Sequence, residues 1–338
     1  MVKKWLIIFL SSLLKQFVKI VPPAVIEKNM LSIANKIELY SNSFFTYHLR
    51  PKLAKDVTLK SNNDYSNIGI VIQGPLVLEQ NFTLETVKLY KRIFPNSVIV
   101  VSTWDDENKN YIKNISDVGA FVSLNKKPEK PGALNANYQI VSTLSGLRLL
   151  GTKGVEFALK TRSDQRIYNF QSLDLFLSLI KSYPPISCFQ KNRIVSVNFT
   201  TLKYRPYAIG DMCMFGSLSD LITYWNISLD NRNIDRKEIS NLTIYELAKL
   251  NVAETFYCTH YLNKLGFQTP ISINNSWKSY REYFIVIDHQ LIDLFWYKYN
   301  RTSERHKYYH EHNFELFGFS DWLKYDLLND KNSFSKLD

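Results

Sequence analysis

The chain has 338 residues, 45% hydrophobic and 14% aromatic. That is enough for one large α/β domain or two small ones, and too apolar for a disordered chain. Lys and Arg number 42 against 31 Asp and Glu, and the net charge of +11 points to an anionic partner: nucleic acid, anionic lipid or a phosphate-bearing substrate. Cys188, Cys213 and Cys258 lie far apart, which argues against a disulfide framework and fits a reducing cytosol.

The first 26 residues carry Lys3, Lys4, Lys15 and Lys19 and no acid. The apolar run Trp5–Leu14 is shorter than the ~20 residues a membrane span needs, and no small-residue cleavage site follows it. Residues 1–30 therefore read as a basic amphipathic arm halted by Pro22-Pro23. It would lie on the anionic cytoplasmic face of the inner membrane as a peripheral anchor. An ordinary docking helix and an uncleaved anchor are the competing readings.

Residues 24–64 suggest a helix and a connecting loop. Ile68–Ile72 is a continuous apolar run, the pattern of a strand buried on both faces, and it ends in Gln73-Gly74-Pro75. Thr83–Phe94 has helical spacing and is broken by Pro95. Val98–Val101 is a second buried strand, running into Thr103-Trp104-Asp105-Asp106. A weaker helix follows, then a third strand over Ala120–Leu124. Asn135–Leu150 is a helix with Ile140, Leu144, Leu147 and Leu150 on one face.

The apolar run Phe157–Leu159 is a fourth strand, and it delivers Lys160, Arg162, Asp164 and Arg166 at alternate positions. In extended chain these four share a side. Alternating strands and helices with short connections predict a parallel sheet with right-handed crossovers. Polar residues recur at the same sheet edge, where an open α/β sheet holds its ligand.

The second half is less regular. Leu173–Ile180 is a helix, and Ile209–Gly216 is the clearest strand. Ser219 can cap a helix over Asp220–Trp225. Further helices cover Ile244–Leu250 and Glu254–Leu265. Beyond residue 290 the chain is rich in Tyr, His, Trp and charge, and reads as a helical or irregular extension over 291–338.

No phosphate-loop, dinucleotide or nucleophile-elbow motif occurs. His306 and His310 share a helical face by spacing, a pattern more often solvated than metal-binding. His260 and His289 are lone residues, read as structural.

VIQGP (71–75), YKRIFPNSVIVVSTWDD (90–106), PGALNANYQIVSTLSGL (131–147), LKTRSDQRI (159–167), IGDMCMFGSLSDLITYW (209–225) and AETFYCTHYL (253–262) together resemble the WavE family of lipopolysaccharide-synthesis proteins. The resemblance covers about 65–290. It implies a GT-A-like α/β glycosyltransferase with a mostly parallel central sheet, using a nucleotide-sugar donor and a lipid-linked or lipopolysaccharide acceptor. It places donor contacts at Gln73, Gly74 and Pro75, at Thr103, Trp104 and Asp105, and at Ser163 and Asp164. Lys160 and Arg162 join the donor contacts, and Arg162 and Arg166 flank the acidic residue.

The family pattern of two carboxylates is reduced here to Asp164 alone, the one candidate metal ligand. Mg²⁺ or Mn²⁺ can be held mainly by substrate phosphate. Alternatively the flanking cations neutralise the leaving diphosphate without a metal.

Glu254 opens a helix at the position where such enzymes carry the base that deprotonates the acceptor hydroxyl, and Asp211 stands where a strand enters the cleft. Glu254 has a structural alternative: Asn251 and Glu254 are spaced as a capping box. Asn135 and Asn137 can bond sugar or ribose hydroxyls or simply begin a helix. A membrane-associated assembly protein with a decayed site is the runner-up function. A nucleic-acid enzyme is disfavoured, because basic residues concentrate in the arm.

Overall fold

The structure, a computed structural model, describes residues 9, 11–13, 16, 20–40, 48–234, 236–239, 241–251, 253–297 and 315–330. His306 and His310 lie outside them. The chain divides into two units, Met1–Arg50 and Pro51–Asp338.

In the first unit, helix α1 (Pro23–Tyr40) begins at the proline pair that the sequence reading took only as a stop. Proline suits a helix start because its missing N–H would find no partner there. Pro22 O accepts the N–H of Val25 at 3.0 Å and of Ile26 at 3.2 Å. Met30, Ile33 and Ile37 are exposed on α1. Among the described residues no helix is long and apolar enough to cross a membrane.

The second unit is built on strands β1 (Ile68–Gln73), β2 (Val98–Trp104), β3 (Phe121–Asn125), β4 (Phe157–Arg162), β5 (Gln165–Ile167), β6 (Ile194–Val197), β7 (Met214–Ser217), β8 (Phe284–Ile287) and β9 (Leu294–Trp296). Seven of them form one sheet in the order β3-β2-β1-β4-β7-β6-β8. Only β7 runs against the others. β5 and β9 form a separate antiparallel pair.

Helices α2 (Phe82–Ile93), α3 (Lys109–Asp117), α4 (Ala136–Gly151), α5 (Ser172–Ser182), α6 (Leu218–Trp225), α7 (Arg236–Ile239), α8 (Ile244–Leu250), α9 (Glu254–Lys264), α10 (Ile273–Tyr283) and α11 (Phe319–Asp330) complete it. The mostly parallel central sheet flanked by helices that the sequence predicts is the one observed.

Parallel strands need long crossovers, and α2, α3 and α4 supply them between the first four strands. α4 lies close on β1 and β2 because two glycines let it. A Cβ on Gly146 would stand 2.6 Å from Val71 Cγ1, and one on Gly69 would stand 2.5 Å from Leu150 Cδ1. Ser102 Oγ donates to Ser142 O at 2.6 Å across the same contact. β1 is buried along its whole length, as its unbroken apolar run demands.

Two local readings are corrected by neighbours distant in sequence. The strand expected over Ile209–Gly216 is confined to Met214–Ser217, where β4 and β6 supply its partners. The cap of α6 is Ser217, whose hydroxyl accepts from Asp220 N at 3.1 Å. The chain beyond residue 290 contributes β9 and the fully buried Trp322.

Candidate active site

The register sets three strand tips level: Gln73 pairs with Ser102 on one side and Arg162 on the other. β1 leaves the sheet through Gly74 at φ +119°, where L side chains are strained, and a Cβ there would meet Ser163 Oγ at 2.9 Å. Ser163 N donates to Gln73 O at 2.9 Å and its hydroxyl donates to Pro75 O at 2.6 Å. Gln73, Gly74, Pro75 and Ser163 are thus brought together at one strand edge.

Behind these tips runs a buried polar relay. Gln73 Oε1 accepts from Ser142 Oγ at 2.9 Å, and Gln73 Nε2 stands 3.5 Å from Gln139 Oε1. The same Gln139 oxygen accepts from Lys160 Nζ at 3.3 Å. Lys160 is fully buried, donates to Asp211 O and lies 4.7 Å from the centroid of the Trp225 ring. Burial pulls its ammonium down to about 8, against the opposing pull of Asp211.

The alternation of Lys160, Arg162, Asp164 and Arg166 does not survive as a shared face, because the chain turns at Ser163-Asp164 and β5 joins another sheet. Arg162 grips Asp164 with two bonds, Nε to Oδ1 at 2.8 Å and Nη2 to Oδ2 at 3.1 Å. Trp296 Nε1 donates to Oδ2 at 2.9 Å, and Tyr297 N donates to the Asp164 carbonyl at 2.9 Å. Burial pushes the Asp164 carboxyl up, but the Arg162 guanidinium and the indole N–H outweigh it and hold it below the usual carboxylate value.

The residues present do not fit a divalent ion on Asp164. Its carboxylate is 1% exposed and already carries a bidentate guanidinium and an indole N–H, so a metal would have to displace a cation. Among the described residues no three His, Cys, Asp or Glu side chains converge as metal ligands. Arg162, with 19% of its side chain exposed, is the more accessible member of the pair.

Arg166, expected beside the diphosphate, is elsewhere. It packs 4.4 Å from the centroid of the Phe82 ring. It donates to Thr86 Oγ1 at 3.0 Å, Phe82 O at 3.0 Å and Lys52 O at 2.8 Å. It rivets residues 51–52 to α2.

The β2 tip is tied to the loop after β1. Thr103 Oγ1 donates to Glu107 Oε1 at 3.2 Å, and that oxygen also accepts Leu76 N at 2.9 Å. Trp104 is buried edge-on against Tyr138, and Asp105 is exposed. Asn135 is exposed just before α4. Asn137 is a staple: its Nδ2 donates to Lys130 O and Asp230 O, and its Oδ1 accepts Asp230 N at 2.7 Å. That uses both of its N–H groups and one lone pair of its oxygen within the chain.

Glu254 is the first residue of α9, behind Ala253 at φ 47°. The capping alternative does not hold, because Asn251 ends α8 and its Oδ1 accepts from Thr259 Oγ1 at 3.1 Å. Arg205 Nη1 stands 3.4 Å from Glu254 Oε2. Burial pushes Glu254 up; Arg205 opposes this, and the negative charge of Asp211 reinforces it. Asp211 is 2% exposed, and its Oδ2 has no hydrogen-bond partner among the described residues. Lys160 feels the charges of Asp211, Arg162 and Asp164 together, and Glu254 feels those of Arg205 and Asp211, so Asp211 is common to both.

Sequence reasoning missed Trp296 and Arg205. Neither sits in a periodic segment, and both reach the site through pairings with residues far along the chain.

The family model for WavE lipopolysaccharide synthesis matches residues 68–288, well over half of the chain. No curated protein matches it. Among solved structures the chain is similar to a cytidylyltransferase from Leptospira borgpetersenii (14% identity, 66% of this chain and 76% of that one, TM-score 0.33). It is also similar to a mannose-1-phosphate geranyltransferase from Thermus thermophilus (8%, 64% and 78%, 0.30). A third is mouse xyloside xylosyltransferase 1 (10%, 67% and 86%, 0.31). Likeness this distant bears on neither substrate nor mechanism.

Proposed function

The chain belongs to the WavE lipopolysaccharide synthesis family, and from that premise we propose that it is a nucleotide-sugar-dependent glycosyltransferase. Its acceptor is a lipid-linked or lipopolysaccharide hydroxyl. It works at the anionic cytoplasmic face of the inner membrane, held there peripherally by the basic arm. The observation that carries the reading is the row of level strand tips, where Gln73 pairs with Arg162 and the buried Lys160 ties Gln139 to the Asp211 carbonyl.

On this reading the donor's nucleotide lies along Gln73, Gly74 and Pro75, with Thr103 and Asp105 beside it. Arg162 faces the diphosphate, and Asp164 and Trp296 hold that guanidinium in place. Glu254 accepts the proton of the acceptor hydroxyl as its oxygen bonds to the anomeric carbon. The bond from that carbon to the diphosphate oxygen breaks, and the electron pair leaves with the nucleoside diphosphate. The Arg162 and Lys160 charges stabilise the negative charge that develops there. A carboxylate with a raised pKa suits the proton transfer; burial raises it, and the charge of Asp211 adds to that.

The test is a screen of nucleotide-sugar donors with purified chain, reading released nucleotide with and without EDTA and donor-dependent thermal stabilisation. Stabilisation and release that persist in EDTA are expected. No stabilisation by any donor would leave the assembly-protein reading in its place.

A further inference from the structure

A cleft of about 590 Å³ lies between α2 and the short 3-10 turn Ala54–Asp56, and it is lined mainly by cations. Lys88, Lys91 and Arg92 stand at i, i+3 and i+4 of α2, so they share one face, and Lys55 faces them from the turn. The single acid in the lining, Glu85, is spent. Its Oε2 accepts Ala54 N at 2.9 Å and its Oε1 pairs with Lys88 at 2.7 Å. Lys55, Lys91 and Arg92 have no carboxylate partner among the described residues, and Lys91 is partly desolvated by the fold.

The cleft is built rather than incidental. The buried Arg166 holds Lys52 O at 2.8 Å, Tyr168 holds Pro51 O at 2.7 Å, and Glu85 holds Ala54 N, so residues 51–56 are clamped along α2. Three uncompensated cations in a fixed wall call for a phosphate.

Two features favour a lipid phosphate over a soluble one. Leu53, 39% exposed, lines the cleft, and Leu59 nearby in sequence is 63% exposed, so apolar side chains accompany the cations as at a bilayer interface. The positive end of the cleft also lies away from the donor site. α2 ends where Pro95 O accepts Tyr65 N at 3.2 Å, just before β1 begins, whereas Gln73 and Arg162 stand at the opposite ends of their strands.

We propose that the cleft lined by Lys55, Lys88, Lys91 and Arg92 is a second, non-catalytic site that takes the headgroup phosphate of an anionic phospholipid. It rests on the membrane-surface part of the reading above but on different residues. It would hold the Pro51–Asp338 unit to the bilayer independently of the arm.

The full chain is tested on phosphatidylcholine vesicles with and without phosphatidylglycerol. Three proteins are compared with the parent: the cleft variant K88Q/K91Q/R92Q, an equal-charge control K109Q/K113Q/K126Q, and an arm variant with Lys3, Lys4, Lys15 and Lys19 changed to Gln. Each basic residue at an anionic surface contributes about five-fold in affinity. The cleft variant should therefore lose at least about ten-fold on the anionic vesicles while the control stays near the parent. A cleft variant equal to the control overturns the site, and a loss in the arm variant then leaves the arm reading standing. If the parent ignores phosphatidylglycerol, both fall. In a second arm, acylation of Lys91 is followed with vesicles or with inorganic phosphate. Protection by vesicles alone supports the lipid, and equal protection by inorganic phosphate overturns it.

Discussion

Changing Asp164 to Asn tests whether this acid braces an arginine or binds a metal. The substitution keeps the size of the side chain and removes its charge. It leaves Arg162, 19% exposed, without its counter-ion, and it turns one oxygen that accepted N–H groups into a donor. Stranding one member of a buried ion pair costs about 3–5 kcal/mol. Partial exposure of Arg162 discounts this to about 3 kcal/mol. With a urea slope near 3 kcal/mol per M, the unfolding midpoint should drop by about 1 M.

The pH dependence has a definite sign. The Asp164 pKa in the fold lies below the ordinary 3.8, so its contribution is complete above that value and disappears as pH falls through the lower one. The wild-type advantage over D164N should therefore hold at neutral pH and shrink in acid below about 4. Urea melts at both pH values, with donor-dependent nucleotide release alongside, measure it. A variant as stable as the parent, whose lost turnover returns when Mg²⁺ or Mn²⁺ is raised, would refute the bracing role.

Other outcomes follow from the same geometry. E254Q should lower kcat by about 10²- to 10⁴-fold while donor-dependent thermal stabilisation is kept, because only the proton acceptor is lost; initial rates and melts decide it. K160M should flatten the rise in stability with pH. Between about 8 and 10.5 the unfolded chain binds the Lys160 proton and the fold does not, so stability climbs across that window by about 3 kcal/mol in the parent. G146A should cost about 1–3 kcal/mol despite alanine's better helix propensity, because its Cβ would sit 2.6 Å from Val71 Cγ1 and 3.1 Å from Ser102 Cβ; a thermal melt reads it.

The buried strands were legible because a strand covered on both faces leaves an unbroken apolar run, as in Ile68–Ile72 and Phe157–Leu159. Helix periodicity located α2 and α4 for the same reason. What could not be read was partnership. Four charges at alternate positions looked like one face, yet Lys160 meets Asp211 O, Arg162 meets Asp164, and Arg166 turns under α2. Nothing local in the second half says that β7 inserts between β4 and β6, or that Trp296 reaches back to Asp164. Pro22-Pro23 reads equally as an end or a beginning, and only the N–H groups received by Pro22 O decide it.

β9 brings the tail of the chain, beyond the family-matched segment, to the Arg162–Asp164 pair. That segment stops at 288, eight residues short of Trp296. A protein trimmed to the shared segment would keep every residue that the resemblance names, yet β5 would lose its partner and Arg162 the brace behind its own brace. A substitution after 288, at Trp296, therefore reaches the charge at the strand tips without touching a motif.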